Sequence, residues 1–156
     1  MKTVNFKSVV IGALFGIVLL AGCTNSKTNQ KTSDNMEKLN LTQEWDKKFP
    51  QSDNVNHRKV IFKNRYGITL AADLYEPKNT KGKLAAITVS GPFGAVKKQA
   101  SGLYAQTMAE RGFLTLAFDP SYTGESGGGP RNVASPDINT EDFSAAVDFL
   151  TTLPNV

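Results

Sequence analysis

Two short apolar runs constrain this chain more than any other feature. Leu84–Val89 (LAAITV) and Phe113–Phe118 (FLTLAF) are almost uninterrupted in hydrophobic character. That pattern belongs to strands covered on both faces, as in parallel sheets, rather than to strands with one wet face. Between them, Gln99–Arg111 places Ala100, Leu103, Tyr104, Thr107, Met108 and Arg111 at helical spacing, and Gly112 suits a helix C-terminus. Strand, helix and strand in so short a stretch predict a βαβ unit with a right-handed crossover.

The segment before it reads differently. Arg58–Asn64 (RKVIFKN) is strand-like, and Arg65-Tyr66-Gly67 is a turn in which Gly67 can take positive φ. Ile68, Leu70, Ala72 and Leu74 then alternate with Thr69, Ala71, Asp73 and Tyr75, the period of a half-buried strand. An antiparallel hairpin is therefore expected first, followed by the parallel unit. A second helix is expected from about Thr140 to Leu150, capped by Asn139 or Thr140, with Phe143, Ala146, Val147 and Leu150 as its apolar face. Leu41–Phe49 suggests a short helix capped by Thr42, with Trp45 and Phe49 one turn apart against the domain.

The first 55 residues have another composition. Lys2 and Lys7 precede the apolar stretch Val9–Leu20, which closes on Leu20-Ala21-Gly22-Cys23. Twelve residues rise about 18 Å as a helix, short of the ~30 Å hydrocarbon core, so an export signal is expected rather than a span. Leu-Ala-Gly-Cys resembles a bacterial lipobox, in which Cys23 receives lipid and becomes the new N-terminus. Two or three acyl chains would anchor the protein without a spanning helix. Thr24–Asn40, rich in Asn, Lys, Thr and Ser, reads as a flexible tether. The expected organisation is a signal peptide over 1–22, lipidated Cys23 with tether and short helix over 23–55, and a folded domain over 56–156. The expected location is on a membrane, facing outside the cytoplasm, with membrane lipid as partner through Cys23.

Several functions are disfavoured by composition. The chain has 18 basic and 14 acidic residues, two of the basic ones in the leader, and no arginine-rich run, so nucleic-acid binding has no support. One Cys and one His argue against a disulfide framework or a multi-cysteine metal site. No cofactor or metal is expected. Gly91 and Gly94 do not make a dinucleotide fingerprint, and no phosphate-binding lysine loop is present.

Two glycine-containing loops leave the carboxyl ends of the apolar strands, where open α/β sheets bind ligands. They are Ser90–Val96 (SGPFGAV) and Asp119–Pro130 (DPSYTGESGGGP). The second contains Gly124-Glu125-Ser126-Gly127-Gly128, a literal G-x-S-x-G. That chemistry needs the serine on a strand-to-helix turn, with an acid and then a histidine later in the chain. No histidine follows Ser126, and a glycine run follows it instead of a helix. Ser126 is therefore expected to cap the loop or line a site rim, and His57 to be an ordinary strand histidine rather than a base.

The stretch from about His57 to Val156 resembles the α/β-hydrolase superfamily. The resemblance rests on KNRYGITLAADLY (63–75), VSGPFGAVKKQ (89–99), GLYAQTMAERGFLTLAFDPSYTGESGG (102–128) and EDFSAAVDFL (141–150). It is greatest for dienelactone-hydrolase-like, acetyl-xylan-esterase-like and X-prolyl-peptidase-like members. The resemblance implies that Phe93 and Gly94 belong to an oxyanion-hole region and that Asp119, Tyr122 and Ser126 line the site entrance. It also implies hydrolysis of ester, peptide-type or related acyl bonds, with a small-molecule or acyl substrate for a full-length form. The family's nucleophile, acid and histidine match no position here, so no catalytic residue is assigned, and the chain is expected to be an incomplete, catalytically inactive form of that fold. The alternative is a non-catalytic surface lipoprotein acting as a binding module. A strand missing beside Leu84–Val89 would leave an apolar edge, which predicts poor solubility of the isolated domain.

Overall fold

The computed structural model describes residues 36–156. The signal peptide, Cys23 and the tether before residue 36 lie outside the described residues. Six regular elements follow in order: β1 (Val55–Lys63), β2 (Thr69–Pro77), β3 (Ala86–Val89), α1 (Ala100–Glu110), β4 (Leu114–Phe118) and α2 (Pro136–Thr151). They build one four-stranded mixed sheet in the order β1-β2-β4-β3.

β1 and β2 form the expected antiparallel hairpin, in register from Val55 opposite Pro77 to Lys63 opposite Thr69. Gly67 takes φ +79° in the turn. The turn is built on Asn64, whose side-chain oxygen accepts the amides of Tyr66 and Ile68, both at 3.0 Å. β2 pairs antiparallel with β4, and β3 pairs parallel with β4.

The sheet carries a core on each face. Leu70, Ala72, Leu74, Leu114, Leu116 and Phe118 pack with Ala145, Ala146 and Leu150 of α2. On the other face Tyr75 and Ala117 pack with Ala105 and Ala109 of α1 and with Phe49. Helices on both faces make the sheet a middle layer, which corrects the expected half-buried β2. All but one of its residues are buried, including Ala71, Asp73 and Tyr75, because α1 and the segment before β1 cover the second face. β3 departs in the opposite sense. All four residues are only half-buried, since it lies at the sheet edge with β4 as its one neighbour.

α1 turns a different face inward from the one that hydropathy suggests, and α2 keeps the expected Ala146 and Leu150 inward but not Phe143 and Val147. α1 buries Ser101, Gly102, Ala105, Gln106 and Ala109, while Leu103 stays 47% exposed and Tyr104 lies outside with it. The cause is close approach: a Cβ on Gly102 would sit 2.2 Å from the Lys97 carbonyl and 3.1 Å from the Phe49 ring. No side chain fits at position 102. α2 starts at Pro136 rather than Thr140, with Ser135 at the N-cap, Pro at the first turn and Asp137 beside the positive end. It buries Glu141 and Asp142 along with Ala145, Ala146 and Leu150, leaving Phe143 and Val147 exposed.

Residues 41–49 form no helix. They run as an irregular strap whose polar groups are spent on distant partners. The Thr42 amide donates to Glu125 at 2.7 Å, the Lys48 amide to the Lys98 carbonyl at 3.1 Å, and Lys47 pairs with Asp73 at 3.0 Å. Trp45 and Phe49 do meet, edge to face at 5.6 Å, with the indole N–H donating to the Phe49 carbonyl. Among the described residues no helix is long and apolar enough to cross a membrane.

Candidate functional site

The loops after β3 and β4 face each other at the carboxyl ends of these two parallel strands, and two small cavities lie between them. One, of about 110 Å³, is lined by Phe93, Gly94, Thr123, Asn132 and Val133. Its neighbour, of about 80 Å³, adds Gly91, Pro92, Pro120, Ala134 and Asn139. Phe93 is 81% exposed, and Gly94 takes φ +79°. Among the described residues neither of their amides finds an acceptor. Two uncommitted N–H groups beside a small cavity are what a developing oxyanion requires.

The loop after β4 is held by its own buried polar groups. Asp119 is buried. Its carboxylate accepts the Lys97 amide at 2.7 Å, the Lys97 ammonium at 2.7 Å and the Glu125 amide at 2.8 Å. Gly124, at φ +55°, lies against that carboxylate, 2.2 Å from where a Cβ would stand. Ser126 donates to the Asp119 carbonyl at 2.6 Å and accepts the Ala71 amide at 2.8 Å, so its hydroxyl is committed on both sides. Tyr122, at φ +69°, anchors the loop through its backbone: its amide donates to Gly127 and its carbonyl accepts from Asn132. Asp119, Tyr122 and Ser126 therefore shape the cavity wall without lining it. Thr123, Asn132 and Val133 do the lining, and sequence reading missed them because their role depends on how the loop folds back.

His57 is also committed. It shares a 2.9 Å hydrogen bond with buried Asp73 and sits between the Trp45 and Tyr75 rings, at 5.1 and 5.0 Å. Its recorded partner is thus Asp73, and those of the Ser126 hydroxyl are backbone groups.

Asp73 and Glu125 anchor a chain of buried charges under the site. Lys97 bridges Asp119 and Glu125, at 2.7 and 2.5 Å. Lys59 reaches Glu125 at 2.6 Å, and Lys47 joins Asp73 to Asp46. Burial pushes the Glu125 carboxyl up, but hydrogen bonds from Lys59, Lys97 and the Thr42 amide outweigh it and hold it at about 2. Burial likewise opposes ionisation of Asp73, and the His57 hydrogen bond with Lys47 and Lys97 overcomes it, leaving the carboxyl below its ordinary value. Lys97 is raised: burial disfavours its charge, and Asp119 and Glu125 more than compensate.

Carboxyls depressed in the folded state add stability that is complete above their unfolded values and lost as pH falls through the folded ones. For Glu125 that window runs from 4.5 down to about 2. Asp142, raised by burial, works the other way and favours the fold as pH falls toward 3.8. The depressed groups outnumber it. The urea midpoint, followed by fluorescence of the single tryptophan, Trp45, is expected to fall steadily between pH 4.5 and 2.5; a flat midpoint to pH 3 would contradict the network.

No family model matches the chain. It is 68% identical over 153 residues to an uncharacterised Pseudomonas aeruginosa protein, covering 96% of this chain and 40% of that one. A crystal structure of a hypothetical protein from that organism superposes with a TM-score of 0.75 at 78% identity, over 77% of this chain and 38% of the other. A thiohydrolase of Eupenicillium brefeldianum is 33% identical over 99 residues, 64% of this chain and 31% of the relative. An α/β hydrolase from Penicillium sp. sh18 matches with a TM-score of 0.57 at 27% identity, over 64% of this chain and 33% of that one. The chain thus spans between about a third and two fifths of these relatives. In sequence and in fold the chain is similar to α/β hydrolases, and the described residues carry part of that fold.

Proposed function

We propose that this chain belongs to a membrane-anchored lipoprotein hydrolase of acyl bonds, esters or thioesters, and that residues 90–134 supply the oxyanion side and entrance of its site. The observation that carries this reading is the pair of uncommitted amides at Phe93 and Gly94 beside the cavity between the two loops. A carbonyl oxygen seated there would gain hydrogen bonds as it becomes an oxyanion, an effect worth about 10²–10³ in rate per donor. The thiohydrolase relative extends the substrate class to thioesters. A Ser or Cys nucleophile with its histidine and acid is not among the described residues: Ser126 is locked between Ala71 and Asp119, and His57 is paired with Asp73. The described residues alone are therefore proposed to be catalytically silent. Anchoring is proposed through acylated Cys23, carried by the lipobox-like Leu20–Cys23.

Purified chain is expected to show no hydrolysis of p-nitrophenyl acetate or acetyl thioesters above buffer. Turnover that Ser126→Ala abolishes would overturn the assignment. In a bacterial host, an alkyne-tagged palmitate is expected to label the chain, and Cys23→Ala to remove the label; labelling that survives this substitution would refute the anchor.

A further inference from the structure

The strap has an entry point, and it lies at the site end of the sheet. β2 begins at Thr69, and Ala72 already stands opposite Phe118, the last residue of β4. The first residues of β2 therefore run alongside the loop after β4, whose Gly127 amide donates to the Thr69 carbonyl at 2.8 Å. The Thr69 hydroxyl accepts the Glu37 amide at 3.2 Å. A Cβ on Gly127 would stand 2.0 Å from a Glu37 carboxylate oxygen, so the strap rests directly on that loop. From there Thr42 meets Glu125, Lys47 meets Asp73, and Phe49 shares a core with Val55 at the start of β1. The chain thus enters beside the cavity and runs down β1 and β2 to the opposite end.

The point of entry limits which end of the sheet can meet a membrane. Met36 lies 13 positions after Cys23, and such a segment reaches at most about 45 Å when fully extended. β2, with nine residues, spans about 30 Å. With its far end on the lipid, the domain would hold Met36 about 30 Å away, and roughly nine of the intervening residues would have to run fully extended. Fixing each of them costs about 1–2 kcal/mol of chain entropy. With the site end on the lipid, none needs to be drawn out.

The side chains point the same way. Met36 is 42% exposed, and Tyr66, on the hairpin turn at the same end, is 56% exposed. Arg65 beside it keeps most of its side chain in the open. An aromatic ring with a polar tip, next to an arginine, suits the boundary between headgroups and hydrocarbon. The far end differs in kind: residues 78–83 (KNTKGK), between β2 and β3, carry no apolar side chain. Their three lysines would draw that end to anionic lipid by about 1 kcal/mol each. That is less than the stretching costs, so the length of the segment decides.

We infer that the site end of the sheet, from the hairpin turn across the loop after β4, is held against a lipid surface. The inference rests on the proposed anchor at Cys23. Under the hydrolase reading, the acyl substrate then reaches the cavity from the lipid side.

The test places the photoreactive residue p-benzoylphenylalanine in the full chain, singly, at Tyr66 or Met36 on the site end and at Lys81 or Lys83 on the far end. Each variant is illuminated in the membranes of a bacterial host, and phospholipid adducts are read by mass spectrometry. An interfacial face reaches about 5–10 Å into the lipid boundary, so the yield at the site end is expected to exceed that at the far end by about tenfold or more. Two positions at each end keep the comparison available should one variant fail to fold. Equal yields, a higher yield at the lysines, or adducts at neither end of a chain that carries the palmitate label would each overturn the inference. A higher yield at the lysines would mean that their charge sets the orientation. A chain without the palmitate label would remove the anchor and this inference together. Hydrolysis is not read, so failure of the hydrolase reading leaves the orientation standing, and equal adduct yields leave the hydrolase reading standing.

Discussion

Lys97→Ala is expected to cost about 3–5 kcal/mol, the range for removing one partner of a buried ion pair. The lysine is 2% exposed and its ammonium is shared between Asp119 and Glu125. Without it Asp119 keeps its two backbone donors but loses its countercharge in a site where water does not reach. The effect should not stop at stability, because Lys97 follows the Phe93–Gly94 loop by three residues and Asp119 begins the loop opposite. The same side chain therefore ties together both walls of the cavity. Small domains are stable by about 5–15 kcal/mol in total, so the variant should unfold at markedly lower urea. Lys97→Met paired with Asp119→Asn and Glu125→Gln, which removes the three charges but keeps an acceptor at position 119, is expected to recover part of the loss. A midpoint for Lys97→Ala within error of the parent would show the cluster to be energetically idle.

Asp142→Ala is the second large effect. The Asp142 carboxylate accepts the Ser121 amide at 2.7 Å, the Ser121 hydroxyl at 2.8 Å and the Asn64 side-chain amide at 2.8 Å. These three donors come from the loop after β4 and the hairpin turn, so a residue on α2 fastens two connections at once. Alanine leaves them buried and unsatisfied, at about 1–3 kcal/mol for each group stranded. A net loss of about 3–4 kcal/mol in urea unfolding is expected, below the sum because the donors share one acceptor. Asn64→Ala in the Asp142→Ala background should cost much less than alone. Simple additivity of the two would show that they do not act as a unit.

These two positions also show where reading the sequence runs out. The hairpin was legible because Leu70, Ala72 and Leu74 keep a strict period of two and Gly67 marks the turn. β4 was legible from FLTLAF alone. The helix faces were not. Hydropathy ranks Leu103, Tyr104, Phe143 and Val147 as inward residues, yet the approach of α1 is set by the Lys97 carbonyl and the Phe49 ring, which leave no room for a side chain at Gly102. On α2, Glu141 and Asp142 are buried because Arg65, Asn64 and Ser121 meet them. A paired charge in a core has no signature in a linear pattern, since its partners lie more than 20 positions away. The strap failed for the same reason: the spacing of Trp45 and Phe49 suits a helix, but Glu125, Asp73 and Lys98 claim the groups a helix would need. Of the site, Phe93, Gly94 and the second loop were legible through resemblance, whereas the division of labour inside that loop was not.

The strap has a consequence for the order in which the molecule comes together. Thr42 binds Glu125, 83 positions further on, and Glu37 donates to Thr69, 32 positions on. Contacts between such distant positions carry the largest loop-closure cost, and they form after local pairings such as the β1–β2 hairpin have shortened the effective separation. Residues 36–49 are synthesised before any of these partners. The Thr69 and Asp73 contacts of this segment can close once β2 has been made, whereas its bond to Glu125 waits for the loop after β4, so the strap is fastened to the domain in two stages.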